Sequence, residues 1–109
     1  LEEEGMQPLM INGLFAWFFK AVSRIKLSNS QSINSNIFKK LRIFGPSQNL
    51  ASQTIRALST KQVEACLNKI QEIDQISKGI KIGDSWLEIN RFSMGIAKMM
   101  NRGINLKNG

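Results

Sequence analysis

Apolar residues recur at spacings of three and four from Pro8 to Leu27. Ile11, Leu14, Phe15, Phe18, Val22 and Ile25 fall on one stripe, which predicts an amphipathic helix. Met10, Trp17 and Ala21 form a second apolar set beside it, so this helix is expected to be covered on more than one side. Pro8 suits the first turn, and Gly5 suits the end of an earlier helix. Residues 28–36 are nearly all small and polar and read as a loop. Ile37, Phe38, Leu41 and Phe44 mark a short helix stopped at Gly45-Pro46, and Leu50, Ala51, Ile55 and Leu58 mark another over 47–58. Ser59 and Gln62 stand at capping-box spacing. The helix they open carries Val63, Cys66, Leu67, Ile70, Ile73 and Ser77 on one face as far as Lys78, and Gly79 ends it. Asp84 is a good N-cap for a last helix, expected to run to about Asn101 ahead of Gly103. No strand-like alternation competes. The pattern predicts an all-α fold, a single bundle of about five helices over residues 1–101, with a polar tail 102–109 that frays.

A chain of 109 residues has the length of one domain. Apolar residues at 42% and charged residues at 21% suit a folded globule and are too apolar for a disordered tail. The most apolar stretch, Leu9 to Leu27, is interrupted by Asn12, Lys20, Arg24 and Lys26, whereas a membrane span needs about 20 nearly uncharged residues. No signal peptide frames it. The opening Leu1-Glu2-Glu3-Glu4-Gly5 lacks an initiator Met and reads as the start of a fragment. A soluble, cytoplasmic protein is expected.

Charge sharpens the picture. Fifteen Lys and Arg oppose 8 Asp and Glu, for a net +7. Because Glu2, Glu3 and Glu4 stand together, the remainder carries 15 bases against 5 acids, a net +10. Lys20, Arg24 and Lys26, then Lys39, Lys40 and Arg42, then Arg91, Lys98 and Arg102 could attract phosphates. No zinc finger, aromatic-faced sheet or helix-turn-helix accompanies them, so DNA binding is expected to be weak and salt-dependent.

Catalytic chemistry finds little support. There is no His, which removes imidazole acid–base catalysis and most zinc sites. Cys66 is the lone cysteine and lies on an apolar stripe, which suits a small buried hydrophobe in a reducing compartment. Gly79-Ile80-Lys81-Ile82-Gly83-Asp84-Ser85 faintly suggests a phosphate loop. It has Asp84 where such a loop needs Lys, and a helix where it needs a strand, so it reads as a helix–helix turn. Glu64 and Glu72 fall on a polar face. Asp74 sits beside the apolar stripe four residues before Lys78, and reads as a structural ion at a helix–helix seam. No catalytic residue, metal or cofactor is expected.

Three segments carry a resemblance. Leu67, Ile73-Asp74 and Ile76-Ser77-Lys78-Gly79, followed by Gly83-Asp84-Ser85-Trp86-Leu87-Glu88-Ile89, resemble the C-terminal end of the bacterial DNA polymerase III delta subunit. That family ends in a helix with Asp and Lys four apart, a short turn, and a Trp-x-Glu-Leu-Glu-like helix. Glu4-Gly5-Met6-Gln7-Pro8-Leu9 is similar to its Glu-Gly-x-x-Pro-Leu segment, and Leu58-Ser59-Thr60-Lys61-Gln62 to its Leu-Ser-x-x-Gln/Glu-Leu helix start. The likeness spans residues 1 to about 100. The chain departs from the family at Trp17, Phe18 and Phe19, where Arg and Glu are common, and at Asn90, where the second Glu would stand.

The resemblance implies a helical collar domain that joins other clamp-loader subunits, of the gamma/tau and delta-prime types, in a ring that loads the beta clamp onto primed DNA. It implies that clamp contact and ATP lie elsewhere, the former in a more N-terminal region of delta. Asp74, Lys78, Gly79, Asp84, Trp86 and Glu88 would form its structural motif, whereas Trp17, Phe18 and Phe19, with Arg24, are a candidate partner interface because a single core-facing stripe does not easily bury three adjacent aromatics. Three consecutive aromatics span about 200° of a helix, so one of them is expected to be partly exposed. Trp86 is expected to pack as a buried ring on the preceding helix. The competing readings are a non-specific nucleic-acid-binding helical module and, behind it, an enzyme fragment whose site lay upstream.

Overall fold

The computed structural model describes residues 2–27 and 45–108. Among them are four helices and no strand: α1 (Glu2–Leu27), α2 (Pro46–Ala57), α3 (Thr60–Ser77) and α4 (Ser85–Asn108). The expected loop 28–36 and short helix 37–44 lie outside the described residues. So do Lys39, Lys40 and Arg42.

The local signals explain most boundaries. Ser59 caps α3 with both arms of the box: its Oγ accepts from the Gln62 amide at 3.1 Å, and Gln62 Oε1 accepts from the Ser59 amide at 2.8 Å. Asp84 Oδ1 accepts from the Leu87 amide at 3.1 Å and starts α4. Pro46 opens α2, where its missing N–H costs no helical bond. Gly79 follows α3 at φ 76°, a left-handed conformation that a β-carbon resists.

Two boundaries differ from expectation. The first helix does not begin at Pro8 but runs through it from Glu2. Proline forfeits one bond, to the carbonyl four residues back, and here that carbonyl lies close to the helix start. Pro8 itself is among the fully buried residues, so its ring packs as a core group. The last helix does not stop before Gly103 but continues to Asn108, through the tail expected to fray. Gly103 serves close approach, not termination: a β-carbon built on it would fall 2.3 Å from the Ala57 carbonyl oxygen.

Packing is built on two pairs, α1 against α3 and α2 against α4. The main core joins Phe19 and Val22 of α1, Leu58, Val63, Cys66, Ile70 and Ile73 around α3, and Ile89 and Phe92 of α4. Phe15 meets Phe92 edge-on at 5.3 Å between ring centroids, and Phe19 meets Phe18 likewise at 5.5 Å. A smaller cluster of Ala21, Ile25 and Ala51 lets α1 and α2 cross closely through small side chains. Lys26 Nζ reinforces that crossing by donating to the Ile55 carbonyl at 2.8 Å. Asn12 ties α1 to α3: it is buried, and its Nδ2 donates to the Ile70 carbonyl at 2.8 Å. No helix among the described residues is long and apolar enough to cross a membrane.

Candidate functional site

The α3–α4 turn holds the expected polar motif. Asp74 and Lys78 pair at 2.9 Å, one helical turn apart, with both side chains well solvated. Asp74 also lines a groove of about 450 Å³ between α1 and α3, together with Asn12, Lys20 and Gln71, and so stands at a helix–helix seam. Ser77 Oγ donates to Ser85 Oγ at 3.1 Å across the turn.

Glu88 joins the two helices. Lys69 Nζ of α3 reaches its carboxylate at 2.7 Å, and Arg91 reaches it at 3.4 Å from the next turn of α4. Lys69 also approaches Glu72 at 3.5 Å, and Lys81 of the turn approaches Glu72 at 3.6 Å. Charges therefore alternate from Lys81 through Glu72, Lys69 and Glu88 to Arg91. The Lys69 hydrogen bond holds the Glu88 carboxyl below its ordinary pKa, and the same bond raises that of Lys69. A depressed Glu88 stabilises the fold above the ordinary glutamate range and loses that contribution as acid protonates it. A raised Lys69 contributes below the ordinary lysine range and loses it in alkali. Glu88→Gln is thus expected to lower the melting temperature at pH 7 and to matter progressively less as the pH falls below the ordinary glutamate range, a comparison made by thermal denaturation across that range.

Trp86 departs from expectation. It keeps 37% of its surface exposed, so it is an edge residue and not a core anchor. It lies in the first turn of α4, about 60° around the helix from the buried Ile89, at the margin of the covered face. Trp86→Ala is expected to cost about 1–2 kcal/mol, below the 3–5 of a buried ring, as measured by urea denaturation.

The consecutive aromatics of α1 divide by helical phase. Phe19 is 2% exposed and belongs to the core, which removes it from the expected interface. Phe18 is half-buried, and Trp17 is 42% exposed. Trp17 lines a second groove of about 350 Å³ between α1, α2 and α4, whose walls include Ile11, Leu14, Phe18, Leu50 and Met100. Its lining is almost wholly apolar, with Thr54 as the polar contributor. Leu14, assigned by spacing to the covered stripe, is 67% exposed, and Met10 is 68% exposed. The expectation that α1 is covered on more than one side therefore holds at Ala21 and fails at Met10, Leu14 and Trp17. Arg24 is exposed two turns beyond Trp17, and Lys20 lies between them. Neither pairs with a carboxylate among the described residues.

Spacing alone could not single out Leu14 and Leu50 as groove residues, because each has the phase of a core position. Nor did Asn12 announce itself, although its Oδ1 is buried and has no donor among the described residues. Arg91, Lys98 and Arg102, spaced by seven and four, share one exposed face of α4. Cys66 is buried, and burial pushes its thiol pKa up, away from the nucleophilic thiolate. Among the described residues no group of three or more acidic or thiol side chains could hold a metal ion. Compared with known proteins, the chain matches no family model, no curated sequence and no solved structure.

Proposed function

We propose that this chain is the C-terminal oligomerisation domain of a DNA polymerase III delta subunit, a helical assembly module of the clamp loader. The observation that carries the reading is Trp17, a large aromatic left 42% exposed over an apolar groove on a basic domain. Rigid aromatics of this kind are the usual anchors of protein interfaces. It stands beside the three sequence segments that resemble the family. The partners are then the gamma/tau and delta-prime type subunits, and the work of the domain is to hold delta in the ring.

The deciding experiment is co-purification of the chain with those subunits. Binding to at least one of them is expected, without stoichiometric binding to the beta clamp and without ATP binding. Failure to bind any subunit, or tight clamp binding by this chain, would overturn the assignment.

A second reading, a non-specific nucleic-acid-binding module, is favoured by the Arg91, Lys98 and Arg102 face. Tight duplex-DNA binding at low salt that is independent of sequence and weakens steeply as salt rises, together with no binding to any clamp-loader subunit, would promote it over the first.

A further inference from the structure

Two heptad-like stripes run side by side along α1. Ile11, Phe15, Phe18, Val22 and Ile25 are spaced four, three, four and three, and they face the bundle. Met10, Leu14, Trp17, Ala21 and Arg24 repeat the same spacing one position earlier. This second stripe is covered at Ala21, where Ala51 of α2 crosses, and open elsewhere. Its N-terminal half is apolar and borders the groove lined by Ile11, Phe18, Leu50 and Met100. Its C-terminal end is cationic, with Arg24 on the stripe and Lys20 on the flank toward the α1–α3 groove, which Asp74 also lines. Four-three spacing over about four turns is the seam that a second helix packs against.

We infer that this stripe and groove receive an acidic amphipathic helix from a partner protein. The helix would place apolar side chains at three-four spacing over Met10, Leu14 and Trp17, and carboxylates opposite Lys20 and Arg24. A second copy of the chain suits the site poorly. Each copy carries +7, so two copies repel overall, and stripes laid parallel would also oppose cation to cation. The inference deepens the assembly reading by naming the face and the chemistry of the partner.

The test uses the full chain carrying Trp86→Phe, so that Trp17 is the remaining indole. The probes are two Trp-free synthetic helices about four turns long. Both carry Leu at three-four spacing, one with Glu at the remaining positions and the other with Lys. The Glu helix should shift Trp17 emission to the blue in a saturable titration, at least about tenfold more tightly than the Lys helix. Leu14→Ala should weaken the Glu helix about tenfold, and Lys20→Glu with Arg24→Glu should invert the preference. All three positions are exposed, and circular dichroism checks that the variants stay helical.

Equal affinity for the two helices, no shift of Trp17 with either, or a concentration-dependent shift without peptide would overturn the inference. The last of these would mark a second copy as the occupant. With clamp-loader subunits, the Lys20→Glu, Arg24→Glu variant should fail to co-purify. A variant that co-purifies like the wild type overturns the inference and leaves the assembly reading standing. A wild-type chain that binds the Glu helix but none of those subunits supports the groove and overturns the assembly reading.

Discussion

Phe19→Ala is expected to lower the unfolding free energy by about 3–5 kcal/mol, the usual cost of emptying a buried aromatic site. Phe19 is 2% exposed and touches the rings of both Phe18 and Phe92, with centroids at 5.5 and 6.0 Å. It links α1 to α4 through Phe92, so truncation would leave a cavity between helices that meet over few other residues. A domain of this size has roughly 5–15 kcal/mol in all, so the variant should approach the limit of folding at 37 °C. Urea denaturation of Phe19→Ala beside Trp17→Ala separates core from surface. Trp17 lies outside the core, and its loss should cost less than half as much. Equal losses for the two would contradict the placement of these neighbouring rings.

Gly103→Ala should destabilise the protein although alanine is the better helix former. A β-carbon there would stand 2.3 Å from the Ala57 carbonyl oxygen and 3.0 Å from its carbonyl carbon and Cα. These are backbone atoms, so α2 and α4 must separate, at a cost of about 1–3 kcal/mol as for other overpacked sites. Gly95 supplies the internal control. It lies in the same helix, is exposed, and would bring its β-carbon within 4 Å of nothing. Gly95→Ala should therefore gain up to about 1 kcal/mol from propensity alone. Melting temperatures that move in opposite directions for the two substitutions are the expected result. A stabilised Gly103→Ala would show that the α2–α4 approach is looser than the backbone positions imply.

The local code of this chain is legible in its sequence because it rests on groups a few residues apart. Ser59 and Gln62 cap α3, Asp84 caps α4 and Gly79 takes a left-handed turn, each satisfying or releasing backbone groups within a single turn of helix. The Asp74–Lys78 pair follows from the same short reach. Helical periodicity also fixed the all-α class, since a spacing of three and four has no counterpart in a strand. What the sequence could not determine was which apolar residues lie inside, because phase names a face but not its neighbour. Spacing groups Leu14 with Ile11 as covered residues, yet Leu14 is exposed and Ile11 half-buried along the groove between α1, α2 and α4 that both of them line. Pro8 and Gly103 read as punctuation, and tertiary contact turned one into a core residue and the other into a point of backbone approach. The bridge from Lys69 to Glu88 and the bond from Asn12 to the Ile70 carbonyl, 58 residues apart, join groups that only the packing of separate helices brings within reach.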